Sequence, residues 1–281
     1  MVAQDQKETG NLIAVLHTGD PERGILWQAA FAEHLPQVQF RCSGDAGAMQ
    51  DIRYLVAWTL DPDLIGSLPK LEVLFSIDST NEYLYTSPAV RAGHPRIVFA
   101  EIQLAGRGRR GRAWLAPFGS GLTFSIGWTY PELPADLSAL SLAMGVQVAD
   151  ALREAGAAET MLKWPNDIVW RHRKLGGLLI QLKLEAGGAA SVVVGLGLNV
   201  ALPADARERL ATSGAATVAD LREACGGDPP GRNALAGRLA GALCKGLDRF
   251  GREGFAPFVG RFAALDSLDG ALVCVSQATN S

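Results

Sequence analysis

The sequence predicts an α+β chain, and three observations carry the prediction. Residues 11–76 alternate strand-like and helix-like segments, residues 77–200 supply a succession of strands with hairpin spacing, and two long amphipathic helices accompany them. In the first part, "NLIAVLHTG" (11–19) is a short apolar run ending in turn residues, the mark of a buried strand. "PERGILWQAAFAEHLP" (21–36) has apolar residues at helical spacing and is closed by Pro36. "VQFRC", "YLVAW" and "LEVLFS" follow as further strands, so this part reads as a β-α-β segment with a small parallel sheet.

From Ile77 the texture changes. "RIVFAEIQLAG" (96–106) reads as one strand running into an arginine-rich loop, and "GLTFSIGWTY" (121–130) as another. "LSALSLAMGVQVADALREAG" (137–156) is an amphipathic helix ending at a glycine. "MLKWPNDIVW" and "KLGGLLIQLKLE" read as a hairpin pair around the polar turn Arg171–Arg173. "SVVVGLGLNV" (191–200) is a buried strand broken twice by glycine, and "GRNALAGRLAGALCKGLDRFGREG" (231–254) is the second clear helix. Ala201–Thr217 is the most loop-like stretch, and the tail from Leu268 begins one more strand.

Bulk properties narrow the function classes. A length of 281 residues suits about two domains of ~150 residues. The net charge of −3 argues against a strongly electrostatic nucleic-acid binder. Cys42, Cys225, Cys244 and Cys274 are scattered and read as reduced thiols, while His17, His34, His94 and His172 are too dispersed for a histidine metal site. No secretory signal precedes the first strand, and no apolar run approaches the ~20 residues of a membrane helix. The expectation is a soluble, cytoplasmic protein with neither a DNA nor a membrane partner.

"AGRGRRGR" (105–112) spells G-x-G-x-x-G from Gly106 to Gly111 and adds Arg107, Arg109, Arg110 and Arg112. A dinucleotide fingerprint needs a helix next, whose N-terminus faces the pyrophosphate. Here "AWLAPFGSGLTF" contains Pro117 and two glycines and continues as a strand, so that reading fails on context. A nucleic-acid arm would need further basic clusters, and a solvated charged turn is the plain alternative. The remaining reading is an anion cradle, in which glycines let backbone N–H groups approach and arginines neutralise charge.

Other stretches offer partners for such a cradle. "KWPNDI" gathers Lys163, Asn166 and Asp167 around the rigid Pro165, which could direct a cation, an amide and a carboxylate, or simply cap a turn. "RKLGGLL" sets Lys174 before two glycines, placed to reach an anion over the sheet, or a surface lysine beside a bulge. "GLGLNV" leaves a flat floor at Gly195 and Gly197 and ends in Asn199; its alternative is a crowded core crossing. "IDSTN" offers the hydroxyls of Ser79 and Thr80 to a polar heterocycle, or to a helix N-cap.

Taken together, "IDSTNEYL", "AEIQLAGRGRRGRAWLAPFGSGLTFSI", "LKWPNDI", "RKLGGLLIQL" and "VVVGLGLNV" resemble the catalytic domain of a biotin–protein ligase, over about residues 77–266. The resemblance implies a mixed sheet with packed helices, related to lipoate ligases and class II aminoacyl-tRNA synthetases. It also implies a reaction: biotin and MgATP give biotinyl-5′-AMP, and the biotinyl group then passes to a lysine of a biotin carboxyl carrier protein. By the same resemblance Ser79, Thr80, Gln103, Gly106, Arg107, Gly177, Leu179, Gly195 and Gly197 bind biotin, and Arg109, Arg112, Trp114, Asn166 and Asn199 bind the adenylate. Arg109, Lys174, Asp167 and Lys163 are the implied catalytic groups, with Asp167 accepting the proton of the acceptor lysine. ATP, Mg²⁺ and biotin are the implied small molecules, with no protein-held metal assigned.

Two departures from that pattern are expected to matter. Residues 11–76 resemble the start of a D-isomer-specific 2-hydroxyacid dehydrogenase of the glyoxylate/hydroxypyruvate reductase type, without its cofactor fingerprint, rather than a helix-turn-helix. Residues 263–281 resemble only the beginning of the family's SH3-like C-terminal domain. The expected organisation is therefore a fusion: a partial α/β segment (1–76), a catalytic domain (77–262) and a truncated end (263–281). The alternatives to a ligase are a non-transferring binder of biotin or biotinyl-AMP, a dehydrogenase fragment, and a lipoate ligase.

Overall fold

The computed structural model describes residues 13–18, 38–42, 52–57 and 73–271, apart from 118, 186, 205 and 209–216, together with positions 25, 28, 32, 47 and 48. The chain divides into two compact units, Met1–Asp78 with Phe99–Ala105, and Ser79–Val98 with Gly106–Ser281. The expected strand in the tail, most of the helix at 21–36 and the centre of the 201–217 loop lie outside the described residues.

The first unit holds β1 (Ile13–Thr18), β2 (Val38–Cys42), β3 (Ile52–Ala57) and β4 (Val73–Ile77), joined by the two-residue β6 (Ile102–Gln103). The sheet order is β2-β1-β3-β4-β6, with every one of these pairs parallel, as the β-α-β reading requires. "RIVFAEIQLAG" is not one strand. Its first half, β5 (Arg96–Ala100), joins the other sheet, and its second half is β6.

The second unit is built on a sheet ordered β5-β7-β11-β10-β9-β8, with β7 at Gly121–Tyr130, β8 at Thr160–Lys163, β9 at Asp167–Trp170, β10 at Arg173–Leu184 and β11 at Ala190–Asn199. The pairs β7–β11, β11–β10, β10–β9 and β9–β8 are antiparallel, and the strand pairs of the first sheet are parallel. β9 and β10 meet through Arg171 and His172, both at positive φ (47° and 61°), the mirror-image turn that matches the twist of a tight hairpin. "MLKWPNDIVW", expected as a single strand, is cut by the cis Trp164–Pro165 bond into β8 and β9.

One face of this sheet is apolar and covered. Leu122, Phe124 and Ile126 on β7, Val194, Leu196 and Leu198 on β11, and Leu178 on β10 are buried and alternate with the residues of the other face. α2 (Leu140–Glu154), α4 (Arg232–Glu253) and α5 (Ala256–Leu265) contribute Met144, Val148, Leu152, Leu239, Leu243, Phe250 and Phe258 to the same core. α3 (Leu221–Ala224) adds the buried Leu221. Burial of such aliphatic and aromatic side chains contributes ~1.5–3 kcal/mol each. The expected domain boundary at 262/263 falls inside α5, whose Leu265 is part of this core. The other face carries α1 (Thr80–Thr86), which packs on β7, β10 and β11 and is capped by Ser79, whose hydroxyl accepts the Glu82 N–H.

Candidate active site

Strand register puts the candidate residues on one face. Ser125 stands opposite Gly195, and Gly195 opposite Leu179; one step along, Thr123 stands opposite Gly197, Gly197 opposite Gly177, and Gly177 opposite Asp167. Directly opposed residues share a face, so these two rows make a floor whose centre has no side chains. The glycines line up across the sheet, and the space above two of them is crowded. A Cβ at Gly197 would lie 2.4 Å from Trp114 Cε2, and one at Gly195 would lie almost on Asn81 Oδ1. The floor is therefore roofed by the Trp114 indole over Gly197 and filled by the Asn81 amide over Gly195.

The arginine loop is a small hairpin. Arg107 bridges Ala113, Gly108 N–H donates to Arg112 O (2.7 Å), and Trp114 N–H donates to Gly106 O (2.8 Å). Arg110 (φ 58°) and Gly111 (φ 71°) make the reversal. Among the described residues no helix follows before β7, which closes the dinucleotide reading on geometry. Gly106 is buried, and the four arginines are exposed. Arg107 Nη1 lies 3.6 Å from Glu82 Oε2, whereas the side chains of Arg109 and Arg112 make no ion pair with another described residue.

The charged heart of the site is Lys174 with Asp167. Lys174 Nζ donates to Asp167 Oδ1 at 2.6 Å, and both side chains are under one-third exposed. Gly177 lies under the pair: its Cβ would be 3.5 Å from both Asp167 Oδ1 and Lys174 Cε. The register of β9 on β10 slips between Lys174 and Gly176, so Lys174 does sit at a bulge, inside the sheet rather than at its edge. Its backbone is fixed by the last residue of the 201–217 loop and the chain just after it. Lys174 N–H donates to Thr217 O (2.7 Å), and Lys174 O accepts from Ala219 N–H (2.9 Å). The Trp114 ring centroid is 6.0 Å from Lys174 Nζ, at the outer limit for a cation–π contact.

Asn166 and Asn199 spend their amide groups on the frame. Asn166 Nδ2 donates to Leu178 O (2.6 Å), and Asn199 Nδ2 donates to Ala219 O (3.0 Å). Lys163 is exposed at the end of β8, and its side chain makes no hydrogen bond or ion pair with another described residue. Gln103 lies in the first unit, paired with Ile77.

Four residues of the floor had no assigned role in the sequence reading. Asn81, Ser125 and Gln181 form a hydrogen-bonded group with Thr80, and Thr123 is buried beside Gly197. Thr123 and Ser125 alternate with Leu122, Phe124 and Ile126, a period-two signal that places them on the pocket face. Trp114 Nε1 and Thr123 Oγ1 are buried without a hydrogen-bond partner among the described residues. Orphaned polar atoms over a glycine floor fit a ligand or ordered water completing the site.

On this face of the sheet a row of glycines, the indole over it, two buried polar atoms without a hydrogen-bond partner among the described residues and a cation–carboxylate pair lie together. Residues 73–199 match the Biotin/lipoate A/B protein ligase family. It is 41% identical over 196 residues to the Bifunctional ligase/repressor BirA of Escherichia coli, covering 69% of this chain and 59% of that protein. It is 37% identical over 175 residues to the Biotin--[acetyl-CoA-carboxylase] ligase of Mycobacterium tuberculosis, covering 60% of this chain and 61% of that one. Among solved structures it is similar to the biotin protein ligase of Aquifex aeolicus in complex with biotin and ATP, with 29% identity, a TM-score of 0.56, 69% of this chain covered and 77% of that one. The chain spans about three-fifths of the length of the curated relatives it matches. These relatives are ligases, and they lend no support to the dehydrogenase resemblance of the first 76 residues.

Proposed function

We propose that this chain is an ATP-dependent biotin–protein ligase, which forms biotinyl-5′-AMP and transfers biotin to a lysine of a biotin carboxyl carrier protein. The observation that carries the reading is the Lys174–Asp167 pair set against a glycine floor with two orphaned buried polar atoms. Joining a carboxylate to an α-phosphate brings two anions together, so catalysis rests on positioning and positive charge. Gly177, Leu179, Gly195 and Gly197 would floor the ligand, with Ser79, Thr80, Gly106 and Arg107 at the biotin and Trp114, Asn166, Asn199 and Arg112 at the adenylate.

In the first step the biotin carboxylate oxygen attacks the α-phosphorus and the bond to pyrophosphate breaks. Lys174 and Arg109 offset the charge that gathers there, and Lys163 supplies a further cation at the rim. In the second step an acceptor lysine amine attacks the acyl carbon, the bond to AMP breaks, and Asp167 takes the amine's proton. The hydrogen bond from Lys174 to Asp167 holds that carboxylate in place before substrate arrives.

Among the described residues no group of three His, Cys, Asp or Glu side chains could hold a metal ion. Mg²⁺ is accordingly proposed to enter on the ATP phosphates, its usual mode, rather than in a protein cage. No helix among the described residues is long and apolar enough to cross a membrane, and the proposed setting is the cytoplasm. The parallel pairs of the first unit are not a helix-turn-helix, and DNA forms no part of the proposal. The organisation proposed is a catalytic domain over about 77–262 fused to a distinct N-terminal segment.

The test is pyrophosphate release from MgATP by the full chain, with and without biotin, followed by transfer of labelled biotin to a carrier domain. Biotin-dependent release with transfer supports the proposal. Release without transfer would leave a binder of biotinyl-AMP, and release that lipoate drives equally well would shift the reading to a lipoate ligase.

A further inference from the structure

Lys174 stands where the sheet gives its backbone little support. β11 pairs with β10 only from Gly176 onward, and the β9 register slips between Lys174 and Gly176. The peptide of Lys174 is held instead by residues 217–219, which run parallel to it. Its N–H donates to Thr217 O, and its carbonyl accepts from Ala219 N–H. Asn199 Nδ2 takes Ala219 O (3.0 Å), and the next residue is the buried Asp220. One oxygen of Asp220 caps α3 through the Glu223 N–H, and the other accepts from Leu202 N–H. Arg207 joins these groups. Its Nε donates to Leu202 O (3.3 Å), its Nη1 to Glu223 Oε1 (2.9 Å) and its Nη2 to Asp220 Oδ2 (2.5 Å). Glu223 Oε2 in turn lies 2.8 Å from Nη1 of Arg173, the residue before Lys174. Two arginines and two carboxylates thus alternate from the residue before Lys174 to the residue after Ala219.

We propose that Arg207 is a positioning residue of the reaction: through Asp220 and Glu223 it holds residues 217–219 against Lys174, and so sets where the Lys174 ammonium stands. The proposal rests on the reading of Lys174 as the cation of adenylate formation, and it adds a set of residues outside the glycine floor. A guanidinium suits the task, because its planar fork meets three acceptors in fixed directions, which a lysine ammonium does not. The Asp220 side chain is 2% exposed and that of Arg207 29%, so solvent screens this pair less than a surface pair. Two carboxylates that share one guanidinium stand close enough to repel each other once it is gone. That repulsion falls on the turn from Ala219 to Glu223, the segment that carries one of the two backbone hydrogen bonds of Lys174. A shift of about 1 Å at a reacting group can cost ~10²-fold in rate, so a small displacement of this backbone is enough to matter.

The experiment follows biotin-dependent pyrophosphate release from MgATP by the full chain in four proteins: wild type, Arg207→Gln, Lys174→Ala and the double variant. Arg207→Gln should lower kcat about tenfold or more, with KM for biotin and ATP within about threefold, because the lost group acts through Lys174. In the Lys174→Ala background the same change should cost less than about twofold, since no ammonium is left to misplace. A tenfold loss in both backgrounds would place the action of Arg207 elsewhere and overturn the inference. Amide resonances give a reading that does not depend on activity. In Arg207→Gln the Lys174 and Ala219 amide protons should move upfield as their hydrogen bonds lengthen, while those of Val194 and Leu196 on β11 stay in place. Unmoved Lys174 and Ala219 resonances would show the segment held without Arg207, which is equally fatal. Should Arg207→Gln not fold, Glu223→Gln weakens both arginine contacts yet leaves Asp220 its cation, and the same pattern is expected. Wild type without biotin-dependent release would remove the ligase reading and this inference with it, whereas an active wild type matched by Arg207→Gln removes the inference alone.

Discussion

The contact between Trp114 and Gly197 lends itself to a quantitative test. In Gly197→Ala the new Cβ would lie 2.4 Å from Trp114 Cε2 and 2.7 Å from Cζ2 and Nε1. Ordinary carbon–carbon contact begins near 3.5 Å, so the indole must retreat by about 1 Å. Elsewhere in a strand the same substitution would stabilise by ~0.5–1 kcal/mol, because alanine loses less backbone freedom on folding than glycine. Overpacking costs ~1–3 kcal/mol, so the net expectation is a loss of roughly 0–2.5 kcal/mol. The functional effect is more diagnostic. An indole displaced from the floor intrudes on the ligand space, and biotin affinity should fall by about five- to a hundredfold, the equivalent of ~1–3 kcal/mol. Thermal unfolding and biotin calorimetry on the same preparation read the two effects separately. A variant more stable than wild type, with biotin affinity unchanged, would refute the close contact and with it the glycine-floor account.

Arg109→Ala and Lys174→Ala should each lower biotin-dependent pyrophosphate release by about 10²–10³-fold, the usual cost of losing one donor at a developing charge. Equal rates in mutant and wild type would sink the assigned roles. Asp220 is buried and accepts from Leu202 N–H (2.7 Å), Glu223 N–H (3.0 Å) and Arg207 Nη2 (2.5 Å), so Asp220→Asn should destabilise by about 2–3 kcal/mol in urea unfolding. A loss under about 0.5 kcal/mol would show that Arg207 and Glu223 hold the segment without it. Burial, aided by the charge of Asp248, pushes the Tyr130 phenol well above its ordinary pKa of 10.0. The folded chain therefore keeps a proton that the unfolded chain releases, and stability present below pH ~10 is lost as pH rises past it. Tyr130→Phe, which also removes the hydrogen bond to Leu247 O, should cost about 1 kcal/mol at neutral pH and flatten the alkaline decline; parallel alkaline limbs for the two proteins would contradict this.

Much of this arrangement is legible along the chain, because the sheet writes its two faces into alternate residues. Leu122, Phe124 and Ile126 against Thr123 and Ser125, and Val194, Leu196 and Leu198 against Gly195 and Gly197, separate core from cleft before any coordinate is known. What local pattern does not determine is partner choice. Residues 96–103 are uniformly strand-like, yet the chain divides them between two sheets, a decision made by which distant strands offer free edges. α5 carries too few turns to announce itself against the apolar "FAPFVGRFAAL", and only its packing of Phe258 and Leu265 into the core identifies it.

The site shows the same division between residue type and partner. That Gly195 and Gly197 mark a close approach follows from residue type, but what approaches does not. Their space is taken by Asn81 and Trp114, which are 114 and 83 positions away in sequence. Asn166 and Asn199 teach the converse. An amide beside a candidate pocket reads as a ligand contact, yet both nitrogens serve backbone carbonyls at places where strands part. A carbonyl left unpaired at such a point costs ~1–3 kcal/mol, enough to require the asparagine whether or not a nucleotide binds. The two demands are compatible, since each asparagine keeps an oxygen to offer; a residue can be compelled by the frame and still be used by the chemistry. Distinguishing them needs substitutions that keep the nitrogen's bond while changing the oxygen, a choice that only the geometry of the folded sheet makes visible.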